Sequence, residues 1–206
     1  MPDTANKVRL TIKNAHIAPI TGYEGTVPTY ETPIPVPGTV NLDLAPVGEL
    51  TKFYADGVVY WQGEANNGYE GDWEIALFPE ELLDKIWKNE KVTTDNVYIE
   101  NATVTTAAFA LLFEIVGDTS ARKYCLYNCT ATRPNTGAGT STENLEPQTQ
   151  SSTISAVPLP DGKVRAVTAS DTTEEVLQNW YKKVYLPPAG AAAAASAPAK
   201  TEGAGA

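Results

Sequence analysis

The sequence has very few of the residues that bind metals or carry out nucleophilic and acid–base chemistry. Among 206 residues there are 2 cysteines and 1 histidine. A structural zinc site takes four such ligands, so the chain has too few of them. On an extended strand, Cys125 and Cys129 lie about 13 Å apart, which is too far for a disulfide. We therefore predict buried thiols and no bound metal or cofactor.

The motifs of the common catalytic sites are also missing. No serine is flanked by the glycines of a nucleophile elbow, and no glycine-rich loop precedes a phosphate-binding lysine. His16 follows the first predicted strand, and sequence alone leaves a Ser-His-Asp arrangement around it open. A lone histidine is more often structural or solvated. We therefore predict that the protein has no catalytic residues and is not an enzyme.

Long hydrophobic runs and an excess of positive charge are both absent. No apolar run is long enough to cross a bilayer, and residues 1–6 are polar, unlike the apolar core of a signal peptide. The chain carries 15 Lys and Arg against 25 Asp and Glu, a net charge of −10. Because tight nucleic-acid binding requires clustered cations, we expect no specific DNA binding. We also expect no membrane association.

Alternating apolar residues, typical of half-buried β-strands, recur along much of the chain. Residues 7–16 are the first predicted strand, with Val8, Leu10 and Ile12 facing inward. Residues 17–38 are rich in proline, which cannot contribute an amide to a central strand. We therefore predict a long ordered loop or arm there.

Two tight hairpins are also predicted. One turns at Asp56-Gly57, a pair that suits the twist of a two-residue β-turn. The other spans residues 109–129, and its return strand is expected to place three side chains on one face: Cys125, Tyr127 and Cys129.

Two helices are predicted, at residues 79–88 and 172–184. Proline suits the start of the first, where a backbone amide has no partner. Thr172 and Glu175 have the spacing of a capping box at the second. Residues 187–206 are rich in Ala, Pro and Gly and are expected to be a flexible tail, which leaves residues 1–186 as one domain.

These elements predict an α+β fold that is mainly β. We expect two packed antiparallel sheets, sandwich-like or barrel-like, with one or two flanking helices and long loop arms. Three of the four tryptophans fall on apolar faces and are predicted to lie in the core: Trp73, Trp87 and Trp180. Tyr60 and Trp61 stay unassigned.

Residues 68–83, GYEGDWEIALFPEELL, resemble the signature segment of the major tail tube protein of long-tailed phages of Gram-positive bacteria. The resemblance continues at residues 109–134 (FALLFEIVGDTSARKYCLYNCTATRP) and at residues 146–149. It is seen again at residues 179–187 and covers most of the chain from about Val36 to Leu186.

The resemblance implies a structural virion protein that self-assembles into hexameric rings. The rings stack into a hollow tail tube around a tape-measure protein, with terminator and initiator proteins at its ends. DNA passes through the lumen without specific binding. The protein would be assembled in the host cytoplasm and located in the virion tail.

Glu70, Asp72 and Glu74 share one face of a predicted strand. Three interpretations stay open: a solvated outer face, a calcium site that lacks the usual spaced loop ligands, and an acidic wall of the lumen. The third comes with the resemblance.

Contacts between subunits are expected in the proline-rich segment and in the polar loop that begins at Arg133. The candidate residues are Tyr23, Tyr30, Ile34, Val36 and Arg133. The alternative is that both segments are plain surface loops.

A different function is also considered, that of an extracellular carbohydrate-binding or adhesin-like β-sandwich. Such a module would present exposed aromatic residues as platforms for sugars. The polar N-terminus and the two cysteines, predicted to be unpaired, argue against it.

Overall fold

The computed structural model describes residues 6–140 and 147–188 and is mainly β, which confirms the predicted fold class. Residues 189–206, most of the predicted tail, lie outside the described residues. The first strands are β1 (Arg9–Glu24), β2 (Val27–Tyr30), β3 (Ile34–Pro35), β4 (Thr39–Pro46), β5 (Leu50–Ala55), β6 (Val58–Glu64) and β7 (Tyr69–Ile75). The remaining elements are α1 (Glu80–Lys85), β8 (Glu90–Val92), β9 (Val97–Ile99), β10 (Phe109–Gly117), β11 (Ala121–Ala131), β12 (Gln150–Ala156), β13 (Arg165–Val167) and α2 (Glu174–Asn179).

One antiparallel sheet forms the body of the protein. Its strand order is β2-β1-β10-β11-β12-β7-β4, with β3 paired to β1 and β13 paired to β11. The sheet curls, because Ile17 of β1 and Trp73 of β7 belong to the same buried cluster and β4 returns to contact β1. The two predicted layers are therefore halves of one curled sheet, which we call the barrel.

The segment predicted as a proline-rich loop, residues 17–38, instead belongs largely to the sheet. Strand β1 continues to Glu24, and β2 and β3 pair with it. A bulge near Asn14, whose φ is 52°, separates the two halves of β1. Because β2 and β3 are short edge strands, they tolerate proline. Val36, next to β3, is 1% exposed.

The first half of β1 does not follow the predicted alternation. Val8 and Leu10 are 53% and 65% exposed, although both were predicted to face inward. The register shifts between Arg9 and Thr11, so the strand does not hold one face toward the core.

Helix α1 fills one end of the barrel. Leu82, Ile86 and Trp87 are buried, and Trp87 Nε1 donates a hydrogen bond to the carbonyl oxygen of Thr132 at 2.8 Å. The helix is shorter than the predicted range 79–88, since regular helix ends at Lys85 and Lys88 has a φ of 56°.

A second buried cluster covers the outer face of β1, β10 and β11. The segment that follows α2 supplies Trp180 and Val184 to it. The predicted helix 172–184 is regular only over the six residues of α2, and the capping box is not formed. Thr172 Oγ1 accepts a hydrogen bond from the amide of Ala169 instead, at 2.9 Å.

A bulge in β11 moves Cys129 to the inner face of the sheet. Cys125 and Tyr127 belong to the outer cluster, whereas Leu126 and Cys129 belong to the inner one. The pairing with β10 shifts between Cys129 and Leu126, which reverses the side-chain alternation. The prediction of one shared face was therefore wrong, and that of buried, unpaired thiols is confirmed.

Candidate functional site

Strands β5 and β6 form a two-stranded hairpin that extends away from the barrel. Its ladder continues that of β4 and β7, because Val47 N donates to Gly68 O at 2.9 Å and Asn67 N donates to Val47 O at 2.8 Å. Ala65 N then donates to Glu49 O at 3.2 Å. The ten residues from the end of β4 to the tip span about 30 Å at strand spacing. We call this hairpin the arm.

Local chemistry explains why the sequence forms the arm. Asp56 and Gly57 have φ values of 52° and 77°, which is the tight turn that the pair predicts. A Cβ atom at Gly48 would lie 1.8 Å from the carbonyl oxygen of Ala65, so glycine lets the two strands approach at the base of the arm.

The arm exposes large apolar side chains that the rest of the molecule does not cover. Tyr60 is 73% exposed and Trp61 56%. The other exposed residues of the arm are Leu50, Phe53, Tyr54, Val58 and Val59. A free two-stranded hairpin is marginally stable in water, and a contiguous apolar surface of this kind is typical of a binding interface.

The remaining tryptophans behave as predicted. Trp73, Trp87 and Trp180 are each 2% exposed, which confirms their assignment to the core. Trp61 instead lies over the backbone of Gly63, two residues along the same strand, and keeps much of its ring in solvent. The arm is therefore the place where aromatic residues serve something other than the protein's own core.

The three acidic candidates lie on the outer face of β7. Thr153 Oγ1 donates to Asp72 Oδ1 at 2.9 Å, and Thr149 Oγ1 donates to Glu74 Oε1 at 2.6 Å. Asp43 of β4 pairs with Asp72 in the strand register, so a fourth carboxylate joins Glu70, Asp72 and Glu74 on this sheet region. Within the described ranges, no group of three or more His, Cys, Asp or Glu residues is arranged to hold a metal ion.

Most of the residues predicted to contact a neighbouring subunit are engaged within their own. Tyr30 Oη donates to the carbonyl oxygen of Tyr127 at 2.8 Å, and burial raises the pKa of this phenol. Ile34 packs against the inner core, where Val36 is buried. Arg133 Nε lies 2.7 Å from Glu100 Oε1. Tyr23 alone among the five has a mainly open side chain, 47% exposed.

His16 lies in a packed arrangement with no nucleophile among its recorded contacts. Its ring stacks on Tyr181 with centroids 4.5 Å apart, and Nδ1 lies 2.9 Å from the carbonyl oxygen of Asn14. Tyr181 Oη and Asn14 Nδ2 donate to the two carboxylate oxygens of Glu114 at 3.2 and 2.8 Å. This cluster ties the chain after α2 to β1 and β10, which is a structural role.

A basic cleft lies at the end of the barrel from which the arm extends. Lys7, Arg9 and Arg122 line it around a volume of about 240 Å³. Arg165 stands nearby, with its guanidinium 4.8 Å from the ring centre of Tyr69. The amino-acid sequence does not reveal this cleft, because Arg122 of β11 is far in sequence from Lys7 and Arg9.

No family model matches the chain, and no curated protein matches it. Among solved structures, the chain is similar to the sheath/tube terminator of an extracellular contractile injection system, PVC, in the extended state. The sequence identity is 13%, and the match covers 80% of this chain and 100% of that one, with a TM-score of 0.38. It is also similar to the tube-terminating cap of the anti-feeding prophage. There the sequence identity is 10%, and the match covers 82% of this chain and 99% of that one. The TM-score is again 0.38. TM-scores this low do not establish a shared fold.

None of the helices in the described residues has the length and hydrophobicity needed to cross a bilayer.

Proposed function

We propose that the protein is a tail tube subunit of a long-tailed phage. Copies of the chain form rings, by the resemblance hexameric, and the rings stack into a hollow tube. DNA travels through this tube from the virion to the host. The tape-measure protein would occupy the tube during assembly, and terminator and initiator proteins would bind its ends. On this proposal the protein is assembled in the host cytoplasm, acts in the virion tail and catalyses no reaction.

The observation that carries this proposal is the arm. Phe53 and Trp61 are direct cross-strand partners, and both are more than half exposed. Burying side chains of this kind contributes about 1.5–3 kcal/mol each. Because the arm reaches about 30 Å beyond β4, it can lie along an adjacent copy of the protein. A repeated head-to-tail contact builds rings or filaments from identical subunits.

The outer face of β4 and β7 is acidic, which supports the proposal that it forms a tube wall to which DNA does not adhere. Glu70 and Asp72 are exposed, and Glu74 is half-buried. No ion pair of these three carboxylates is recorded within residues 6–140 and 147–188. A uniformly negative surface repels phosphates, which favours sliding over binding. We therefore keep these residues as the proposed lumen face.

The proposed contacts between subunits differ from the predicted ones. Of the five predicted residues, Tyr23 remains available, while the arm supplies the larger apolar surface. We therefore propose that the arm, joined by Tyr23, makes the main contact with a neighbouring copy.

The oligomeric state of the full-length chain tests the proposal. Light scattering after size-exclusion chromatography, followed by negative-stain imaging, should show rings or tubes of uniform width at high protein concentration. Replacing both Phe53 and Trp61 with serine should abolish the tubes. The same double replacement at Val97 and Ile99, exposed on the β8–β9 hairpin, is the matched control and should still assemble.

Two outcomes would count against a tube subunit. A wild-type chain that stays monomeric under every condition would contradict self-assembly. Single rings that never stack would indicate a component that closes a tube rather than one that builds it.

Carbohydrate binding is the second candidate, and the exposure of Tyr60 and Trp61 favours it. Exposed aromatic rings are the surfaces on which sugar rings stack. This function predicts a monomer that is retained on a polysaccharide affinity gel and loses retention on Trp61→Ala. Assembly into tubes without retention would exclude it.

A further inference from the structure

The strand register gives the barrel two distinct ends. Arg9 pairs with Gly117, and Pro46 pairs with Tyr69, at the end from which the arm extends. Pro19 pairs with Phe109, and Thr39 pairs with Ile75, at the opposite end, where α1 lies. We call these the arm end and the helix end.

The arm end carries unpaired positive charge. Lys7, Arg9 and Arg122 are all exposed around the basic cleft. None of the three appears among the ion pairs of the described residues. Asp118 accepts a hydrogen bond from the backbone amide of Lys7 at 2.8 Å, and Asp43 lines a neighbouring cleft with Arg9. The chain as a whole has a net charge of −10, so this cluster of cations differs in sign from the protein overall.

At the helix end, α1 carries three acidic residues and one lysine, and Lys88 follows it. Glu80 and Asp84 lie four residues apart on α1, hence on one side of it, and both are exposed. Neither forms a recorded ion pair, whereas Glu81 already pairs with Lys85 at 3.3 Å. Two free carboxylates are therefore presented at the end of the barrel opposite the basic cleft.

We propose that the arm end of one copy docks on the helix end of the next, with the basic cleft facing Glu80 and Asp84 of the neighbouring copy. This inference rests on the proposed function and deepens it by assigning the polarity of stacking. Opposite charges on opposite ends attract only in the head-to-tail orientation and repel head-to-head. Such a contact uses different surfaces on its two sides, so it can repeat along the tube axis from each ring to the next.

The position of the arm is consistent with docking of the arm end on the helix end of the next copy. The arm extends from the end that carries the cleft, so docking there places its apolar residues along the side of the neighbouring copy. The charges would then orient the approach, and the arm would supply the buried apolar surface. This division agrees with the general finding that charge complementarity governs orientation and rate more than affinity.

Charge reversal tests the proposal without altering the core. One variant combines Arg9→Glu with Arg122→Glu, and a second combines Glu80→Lys with Asp84→Lys. Each should raise the protein concentration needed for tube growth at least about tenfold, because like charges then face each other. A chain carrying all four substitutions restores opposite charges, and its tubes should form near the wild-type concentration.

A matched control lies on the C-terminal segment. Glu174→Lys with Glu175→Lys changes the charge by the same amount as the second reversed pair, at exposed positions that belong to neither proposed docking surface. This variant should assemble like the wild type. Urea unfolding of every variant checks that the fold is retained.

The outcomes separate the two proposals. Normal tube growth by both reversed pairs, or no rescue in the fourfold variant, would overturn the docking of arm end on helix end while leaving the tube function standing. A wild-type chain that forms no tube would overturn the proposed function and the docking with it.

Discussion

The barrel and the arm use the same residue types in opposite ways. In the barrel, Trp73 packs edge-to-face on Phe78, which packs in the same way on Trp87, with ring centres 5.4 and 5.2 Å apart. In the arm, Phe53 and Trp61 face each other across two strands and remain mostly in solvent. The barrel therefore obtains its stability from its own chain, whereas the arm needs a second molecule to bury its aromatic side chains.

The largest effect is expected in the barrel. Replacing Trp87 with alanine removes a buried ring and its hydrogen bond to Thr132, and should lower the free energy of unfolding by about 3–5 kcal/mol. Urea denaturation followed by circular dichroism measures this. A loss below about 1 kcal/mol would show that α1 does not contribute to the core as the structure indicates.

Alkaline pH should also destabilise the barrel. Burial raises the pKa of Cys129 to about 12, and burial likewise raises the pKa of Cys125 and of Tyr127. Because the folded-state pKa values are higher, stability is intact below the unfolded values and falls as pH rises above about 9. One such group contributes a slope of up to about 1.4 kcal/mol per pH unit.

Unfolding free energies measured from about pH 8 to about pH 11 test this, with Cys129→Ala as the comparison. The variant should lose less stability with rising pH than the wild type does. The same pH dependence of stability in the wild type and in Cys129→Ala would show that ionisation of Cys129 does not cause the loss of stability.

A smaller effect is expected where the C-terminal segment joins the barrel. Tyr181→Phe removes one of two hydrogen bonds to the buried carboxylate of Glu114 and should cost about 1–2 kcal/mol. Tyr23→Phe, at an exposed position, is the matched control and should change stability little. Equal losses of stability from Tyr181→Phe and Tyr23→Phe would show that the hydrogen bond from Tyr181 does not stabilise the buried Glu114 carboxylate.

The smallest effect on folding, and the largest on assembly, is expected in the arm. Trp61→Ala should change the unfolding free energy of the monomer by no more than about 0.5 kcal/mol, because the ring is largely solvated. The same variant should fail to form tubes by light scattering. If Trp61→Ala greatly destabilised the monomer but left assembly normal, Trp61 would serve the fold of its own chain, as the barrel residues do, and not a contact with a second molecule.

Sequence alone predicted the barrel well where alternation is strict. The inward positions Trp73 and Ile75 and the apolar stripe of α1 each follow from a local pattern. The bulge in β11 was not predictable, since it depends on the register with β10. The extension of β1 was missed because the prolines of residues 17–38 suggested a loop. Pro28 and Pro35 are tolerated because β2 and β3 are edge strands, whereas Pro19 lies within β1 itself.

The arm shows a different limit of sequence reasoning. Alternation predicts an apolar face, but it does not say whether the protein's own chain or another molecule covers it. The signal that could have located the arm is the presence of aromatic and β-branched residues on both faces of a short hairpin, around Tyr54 and Trp61. The basic cleft needs the three-dimensional fold, because Lys7 and Arg122 are far apart in sequence.

Hydrogen exchange of the arm tests most directly whether a second copy completes it. The full-length chain is compared at a dilution where it is monomeric and at a concentration where it assembles. We predict that backbone amides of β5 and β6 exchange rapidly in the monomer and become protected on assembly, while those of β10 and β11 are protected in both. Strong protection of β5 and β6 in the dilute monomer, or rapid exchange in the assembled form, would contradict the account.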